Sequence, residues 1–251
     1  MRLSFSARQV SVVVACIGTI SSHSALAYIL PASAILESVR AKRASLKYDT
    51  LIVHGRALNP ETNIAEKTVW RALKSKTGLR TEYKSGSDTE VDLITQGKQY
   101  KFSADKPPLK GIDAKVLMEN VFMIDSSKDD NGLRGLRALK KHNVKTRTVS
   151  FNRFNGEIVW VIGAKPNDLT SPQLWVHKNL KVPVRFIYQD PKTDEQIDIR
   201  WLGYGSAQTG EWHPRQIDTF KNGTLTHRLV FHRVEVNPKL DATLLNIPTQ
   251  K

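Results

Sequence analysis

Between residues 144 and 236 the sequence is cut into short runs by turn signals, and this punctuation constrains the fold more than any other feature. The runs are 148–154, 157–164, 173–177, 183–189, 196–203, 212–220 and 224–236, with Asn155-Gly156, the 190–194 segment and Asn222-Gly223 among the dividers. Runs of this length and spacing predict an antiparallel sheet, curled into a barrel or paired as a sandwich. Asn155-Gly156 is the strongest single signal, because a two-residue type I′ hairpin needs positive φ at both central positions. Within 196–203, Ile197, Ile199 and Trp201 fall on one face, with Asp198 and Arg200 on the other. The apolar face of such a sheet has to be covered, and what covers it decides what the protein does.

The amino terminus carries Arg2 and Arg8 and no acid, then an apolar run over 10–20, then Ala25-Leu26-Ala27. This pattern predicts a secretory signal peptide over 1–27, cleaved after Ala27. The run is too short to cross a bilayer, which takes about 20 apolar residues. A rival reading makes Cys16 a lipid-attachment site after Val13-Val14-Ala15, but the apolar run continues past it. Cleavage after Ala27 leaves a periplasmic chain, 28–251, with no cysteine and therefore no disulfide. Its length suits one domain large enough to bury a core without staples, and it is expected to be a monomer. The formal charge of +14 makes an anionic membrane face a more fitting counter-surface than nucleic acid for an exported chain.

The first half is mixed. Pro31 and Ser33 open a helix, with Ser33 as the expected N-cap and Ile35, Leu36 and Val39 as the apolar stripe, while Glu37, Arg40, Lys42 and Arg43 face away. Strands are predicted over 48–58, 65–73, 79–84, 91–94 and 99–102. Ile112, Val116, Leu117 and Val121 then describe an amphipathic helix capped by Asp113. A second helix places Leu133, Leu136 and Leu139 opposite Arg134, Arg137 and Lys141, weakened by Gly132 and Gly135. These helices either plug the mouth of the sheet as core or form a lid that lifts.

Catalytic signals are poor. Gly203-Tyr204-Gly205-Ser206 is neither a nucleophile elbow nor a dinucleotide loop. The histidines lack metal-ligand spacing, and His227 and His232 are five apart, on opposite faces of one strand. No paired carboxylates and no phosphate-binding loop are found. The chain is therefore expected not to be an enzyme, with no catalytic residues, metal or cofactor.

The order of elements is similar to that of the LolA/LolB-like outer-membrane lipoprotein-sorting family. The resemblance rests on Ala34-Ile35-Leu36-Glu37, a long strand ending near Gly55, and the hairpin Gln96-Gly97-Lys98-Gln99-Tyr100. It continues through Leu174-Trp175-Val176-His177, Lys181-Val182-Pro183-Val184-Arg185, His213-Pro214-Arg215-Gln216-Ile217 and Val234-Glu235-Val236-Asn237-Pro238, with Ile247-Pro248. It implies a mainly β (α+β) fold: a strongly curved antiparallel sheet forming an incomplete β-barrel, with helices as a lid over a hydrophobic cavity for acyl chains. The family's carrier has an Arg-Pro pair in an early strand, whose arginine bonds to the lid. Here that region reads Trp70-Arg71-Ala72-Leu73, without the pair.

Candidate cavity residues are Val91 and Leu93, Tyr100 and Phe102, Val149 and Phe151, Val184 and Phe186, and Ile197, Ile199 and Trp201. Val116, Leu117 and Val121 would come from the lid. Each is equally compatible with ordinary core packing, which periodicity does not distinguish from a cavity wall. Lys140, Lys141, Lys145 and Arg147 are candidates for a lipid headgroup, or else a solvated charge run. The expected function is a periplasmic carrier of lipoprotein acyl chains or phospholipid between an inner-membrane exporter and an outer-membrane acceptor. The alternative is a lipid or lipoprotein sensor on the same fold, without transfer.

Overall fold

The computed structural model describes residues 29–46, 48–74, 77–96, 98–103, 112–113, 133–205 and 213–247. The expected signal peptide and the helix built on Val116, Leu117 and Val121 lie outside them.

Among the described residues, thirteen antiparallel strands form one sheet. Strands β1 (Thr50–Leu58), β2 (Ala65–Lys74), β3 (Gly78–Ser85), β4 (Asp88–Thr95), β5 (Lys98–Ser103) and β6 (Ile112–Asp113) run as a meander. A second meander follows: β7 (Lys145–Phe154), β8 (Glu157–Gly163), β9 (Gln173–His177), β10 (Pro183–Gln189), β11 (Gln196–Leu202), β12 (Gln216–Lys221) and β13 (Thr224–Val236). The two join where β1 pairs with β13, so β6 and β7 are the ends of the sheet and it does not close on itself. Hairpin chemistry drives much of this order. Asn155 and Gly156 have φ of 50° and 84°, and Asn222 and Gly223 have 47° and 83°, the two-residue geometry that matches strand twist.

Helices α1 (Ala32–Ser45) and α2 (Leu133–Lys141) pack on each other and on β7. Ile35, Leu36 and Val39 are sealed in the main core, each contributing about 1.5–3 kcal/mol by burial. Two details differ from expectation. The α1 N-cap is Pro31, whose fixed φ suits the entry, so Ser33 already lies in the first turn. Arg43 does not face away: it is four residues past Val39, hence on the same stripe, and its guanidinium lies 4.3 Å from the Tyr48 ring centroid. Burial lowers the Arg43 pKa and raises that of Tyr48.

Among the described side chains of α2, Gly135 and Leu139 are buried and Leu136 is half-buried, and His142, just past the helix, is buried as well. Ile112 and Asp113 belong to a strand, opposite Gln99 and Lys98, rather than to the start of a helix. Pairing with an available sheet edge overrides the local helical pattern there. The predicted 212–220 run corresponds to β12, Gln216–Lys221; residue 212 lies outside the described residues. Arg215 already bonds both neighbours, its N–H donating to the Leu202 carbonyl at 2.9 Å and its carbonyl accepting from the Phe231 N–H at 2.8 Å.

Candidate functional site

Cross-strand register builds the site. On one face, Val149 of β7 opposes Ile162, Ile162 opposes Leu174, Leu174 opposes Phe186, and Phe186 opposes Ile199. Each neighbour is one strand spacing, about 4.8 Å, from the next, so five apolar side chains form an unbroken stripe across β7 to β11. A parallel row runs from Phe151 through Trp160 to Val176. The same face continues through Trp201 opposite Ile217, Ile217 opposite Leu229, and Val234 opposite Val53. All of these belong to the main cluster that holds α1 and α2. This is the inner face.

Of the sequence candidates on it, Val184, Phe186, Ile197 and Trp201 are buried, whereas Val149, Phe151 and Ile199 are half-buried. Phe186 is enclosed by the chain itself. It stacks on Tyr188 with ring centroids 5.1 Å apart, and the His142 ring at the end of α2 meets it edge-on at 5.1 Å. Apolar surface remains partly open at Val149, Phe151 and Ile199, and on β13 at Leu229, Val234 and Val236.

Val91, Leu93, Tyr100 and Phe102 are not part of this face. Leu93 is in register with Arg80 and Tyr100, while the adjacent pair Leu79–Ile94 points into the main core. The four therefore lie on the outer face, where Val91, Leu93 and Tyr100 are buried with Leu245, and Phe102 packs beside Leu240 and Ile247 of the carboxy-terminal segment. Their alternation was read correctly within each strand; the phase between strands placed them outside. Lys140, Lys141, Lys145 and Arg147 are all exposed near the end of α2 and the start of β7.

Two polar residues on the inner side escaped the candidate set. Arg71 is buried on β2, its Nε donating to Thr81 Oγ1 at 3.3 Å and its guanidinium 5.5 Å from the Phe231 ring centroid. Its position two residues from both Val69 and Leu73 was the available signal. His213 meets Phe231 edge-on at 5.0 Å and donates from Nδ1 to the Pro214 carbonyl at 2.7 Å. Burial, reinforced by the charge of Arg71, pushes the His213 pKa down to about 3, so the ring is neutral. Among the described residues, no group of three or more His, Cys, Asp or Glu is placed to hold a metal ion.

Neither a protein-family model nor a curated protein sequence matches the chain. Solved structures do match. The LolA superfamily protein NE2245 from Nitrosomonas europaea superposes with a TM-score of 0.52 at 12% identity, covering 87% of this chain and 98% of the other. An outer membrane lipoprotein-sorting protein domain from Vibrio parahaemolyticus gives 0.53 at 14% identity, covering 84% and 95%. A DUF1329 family protein from Desulfovibrio piger gives 0.54 at 10% identity, covering 87% and 98%.

The fold is LolA-like. At these identities the likeness is one of architecture alone: an unclosed β-sheet with helices on its inner face. In this LolA-like sheet the inner face is the apolar stripe just described.

Proposed function

We propose that the protein is a periplasmic carrier that shelters the acyl chains of lipoproteins or lipids against the inner face of its sheet and passes them toward the outer membrane. The observation that carries this reading is the stripe Val149–Ile162–Leu174–Phe186–Ile199, sealed in the middle and partly open at both ends. A long acyl chain costs about 10 kcal/mol or more to expose to water, so ferrying it through an aqueous compartment needs an apolar shelter. Val149, Phe151 and Ile199 are the positions proposed to touch hydrocarbon. Val184, Phe186, Ile197 and Trp201 back them as core. The exposed Lys140, Lys141, Lys145 and Arg147 are proposed to meet an anionic headgroup or membrane surface.

Native mass spectrometry of gently purified protein tests the reading. Bound phospholipid or fatty acid is expected, together with stoichiometric release of labelled lipid or lipoprotein from inner-membrane vesicles. Protein that neither carries lipid nor extracts it would overturn the proposal. Tight capture of a membrane partner without release would instead mark a sensor on this fold.

A further inference from the structure

The outer face of the sheet carries a concave site, with a volume of about 610 Å³, across β13, β1, β2 and β3. That size suits a small ligand. Two cross-strand rows build it. In one, His54 opposes Trp70 and Trp70 opposes Glu82. In the next, Arg56 opposes Thr68 and Thr68 opposes Lys84. These side chains alternate with Val53, Val69 and Tyr83 of the inner face, so they point away from the apolar stripe.

The second row has the composition of an oxyanion cradle. Arg56 and Lys84 start roughly 10 Å apart, on either side of the Thr68 hydroxyl, within reach of one another's ligand. The carboxylates at the site are already engaged: Glu82 accepts from Arg80 at 2.8 Å and lies 3.6 Å from Lys84, and Glu235 lies 2.9 Å from His54 and 3.2 Å from Arg233. Among the described residues, Arg56 and His232 have no ion-pair partner.

A backbone irregularity adds to this. The register passes from His54–Arg233 to Gly55–Phe231, leaving His232 as an extra residue that lines the site. Such bulges re-aim side chains beside binding sites. Gly55 makes the bulge possible, since a Cβ there would lie 2.5 Å from the Val230 carbonyl oxygen. Trp70, half-buried in the middle of the first row, sits on β2 two residues from Thr68 and so beside the row of cations.

We propose that this outer-face groove binds a phosphate ester, its phosphate held by Arg56, Thr68 and Lys84 with His232 nearby, and its organic part against Trp70. The site is independent of the acyl-chain reading, because it lies on the opposite side of the sheet. A soluble phosphate ester and a phospholipid headgroup share this chemistry.

The full chain is titrated with phenyl phosphate, followed by tryptophan fluorescence, and separately with vesicles of phosphatidylglycerol in phosphatidylcholine. Saturable binding is expected to at least one probe, weakened tenfold or more by the double substitution Arg56→Gln with Lys84→Gln and by added salt. Lys192→Gln, in an exposed turn, should leave it unchanged. Binding to phenyl phosphate identifies a soluble ester; binding to anionic vesicles alone identifies a headgroup. Both altered residues are exposed, so circular dichroism should show an unchanged fold. Absence of saturable binding to both probes, or binding that survives the double substitution, would overturn the assignment. Neither result bears on lipid carried by the inner face.

Discussion

Leu36 of α1 occupies the space that a side chain on Gly135 of α2 would need: a Cβ built on Gly135 would lie 3.2 Å from Leu36 Cδ1. Leu36 is buried and has little room to retreat. Gly135 lowers the intrinsic helicity of α2, yet its missing side chain lets the two helices meet. Gly135→Leu is therefore expected to destabilise the protein by about 1–3 kcal/mol through overpacking, read as a lower urea midpoint with an unchanged slope. A stability equal to the parent's would mean that the helices do not depend on this contact.

The stripe separates core from candidate wall. Phe186→Ala should cost about 3–5 kcal/mol, as deletion of a sealed aromatic does. Ile199→Glu, at a half-buried position, should fold and yet lose co-purifying lipid. Urea denaturation and native mass spectrometry on the two variants check the contrast. Loss of fold in Ile199→Glu would make that position plain core.

Leu245 closes the outer cluster over Val91 and Leu93. Leu245→Ala is expected to cost about 2–5 kcal/mol, because the site is sealed, while leaving bound lipid in the surviving folded fraction unchanged. Lipid loss in proportion to the substitution, at matched folded protein, would return Val91 and Leu93 to the binding surface.

His213 supplies a pH dependence with a definite sign. Its pKa is about 3 in the fold against an ordinary 6.5, so below 6.5 the unfolded chain takes up a proton that the fold refuses. Full stability is present above about 6.5 and falls as the pH drops toward 3, with a limiting slope of about 1.4 kcal/mol per pH unit. His213→Leu should flatten that branch relative to the parent, measured by urea unfolding at pH 7, 5.5 and 4. Parallel profiles would show that His213 contributes no such linkage.

Asp198 on the outer face binds Arg185 through both oxygens, at 2.9 and 2.8 Å, and Arg200 at 2.8 Å. Arg185 also covers the Trp175 ring, its guanidinium 4.7 Å from the centroid. Removing the buried carboxylate strands two guanidinium groups, so Asp198→Ala should cost about 3–5 kcal/mol. Arg200→Gln removes only the more exposed partner and should cost about 1 kcal/mol or less. Thermal unfolding of both variants gives the comparison.

Local chemistry alone specified most of the strands. Asn-Gly pairs and alternating apolar residues act through sterics within a few residues, so β9, β10 and β13 could be read to their ends, as could the shared face of Ile197, Ile199 and Trp201. Helix periodicity likewise identified Ile35, Leu36 and Val39, and the same spacing, followed one turn further, includes Arg43. What no single strand contains is the phase of its neighbour. Pairing Arg80 with Leu93, rather than one residue along, turned four expected cavity residues onto the outer face, because a one-residue change of register reverses every side chain. The covering of those four, three of them fully, then depended on a carboxy-terminal segment more than a hundred residues away in sequence from Leu93. Composition, turns and period set which side chains could share a surface; long-range register and packing decided which surface faced inward, because those terms arise only when distant segments meet.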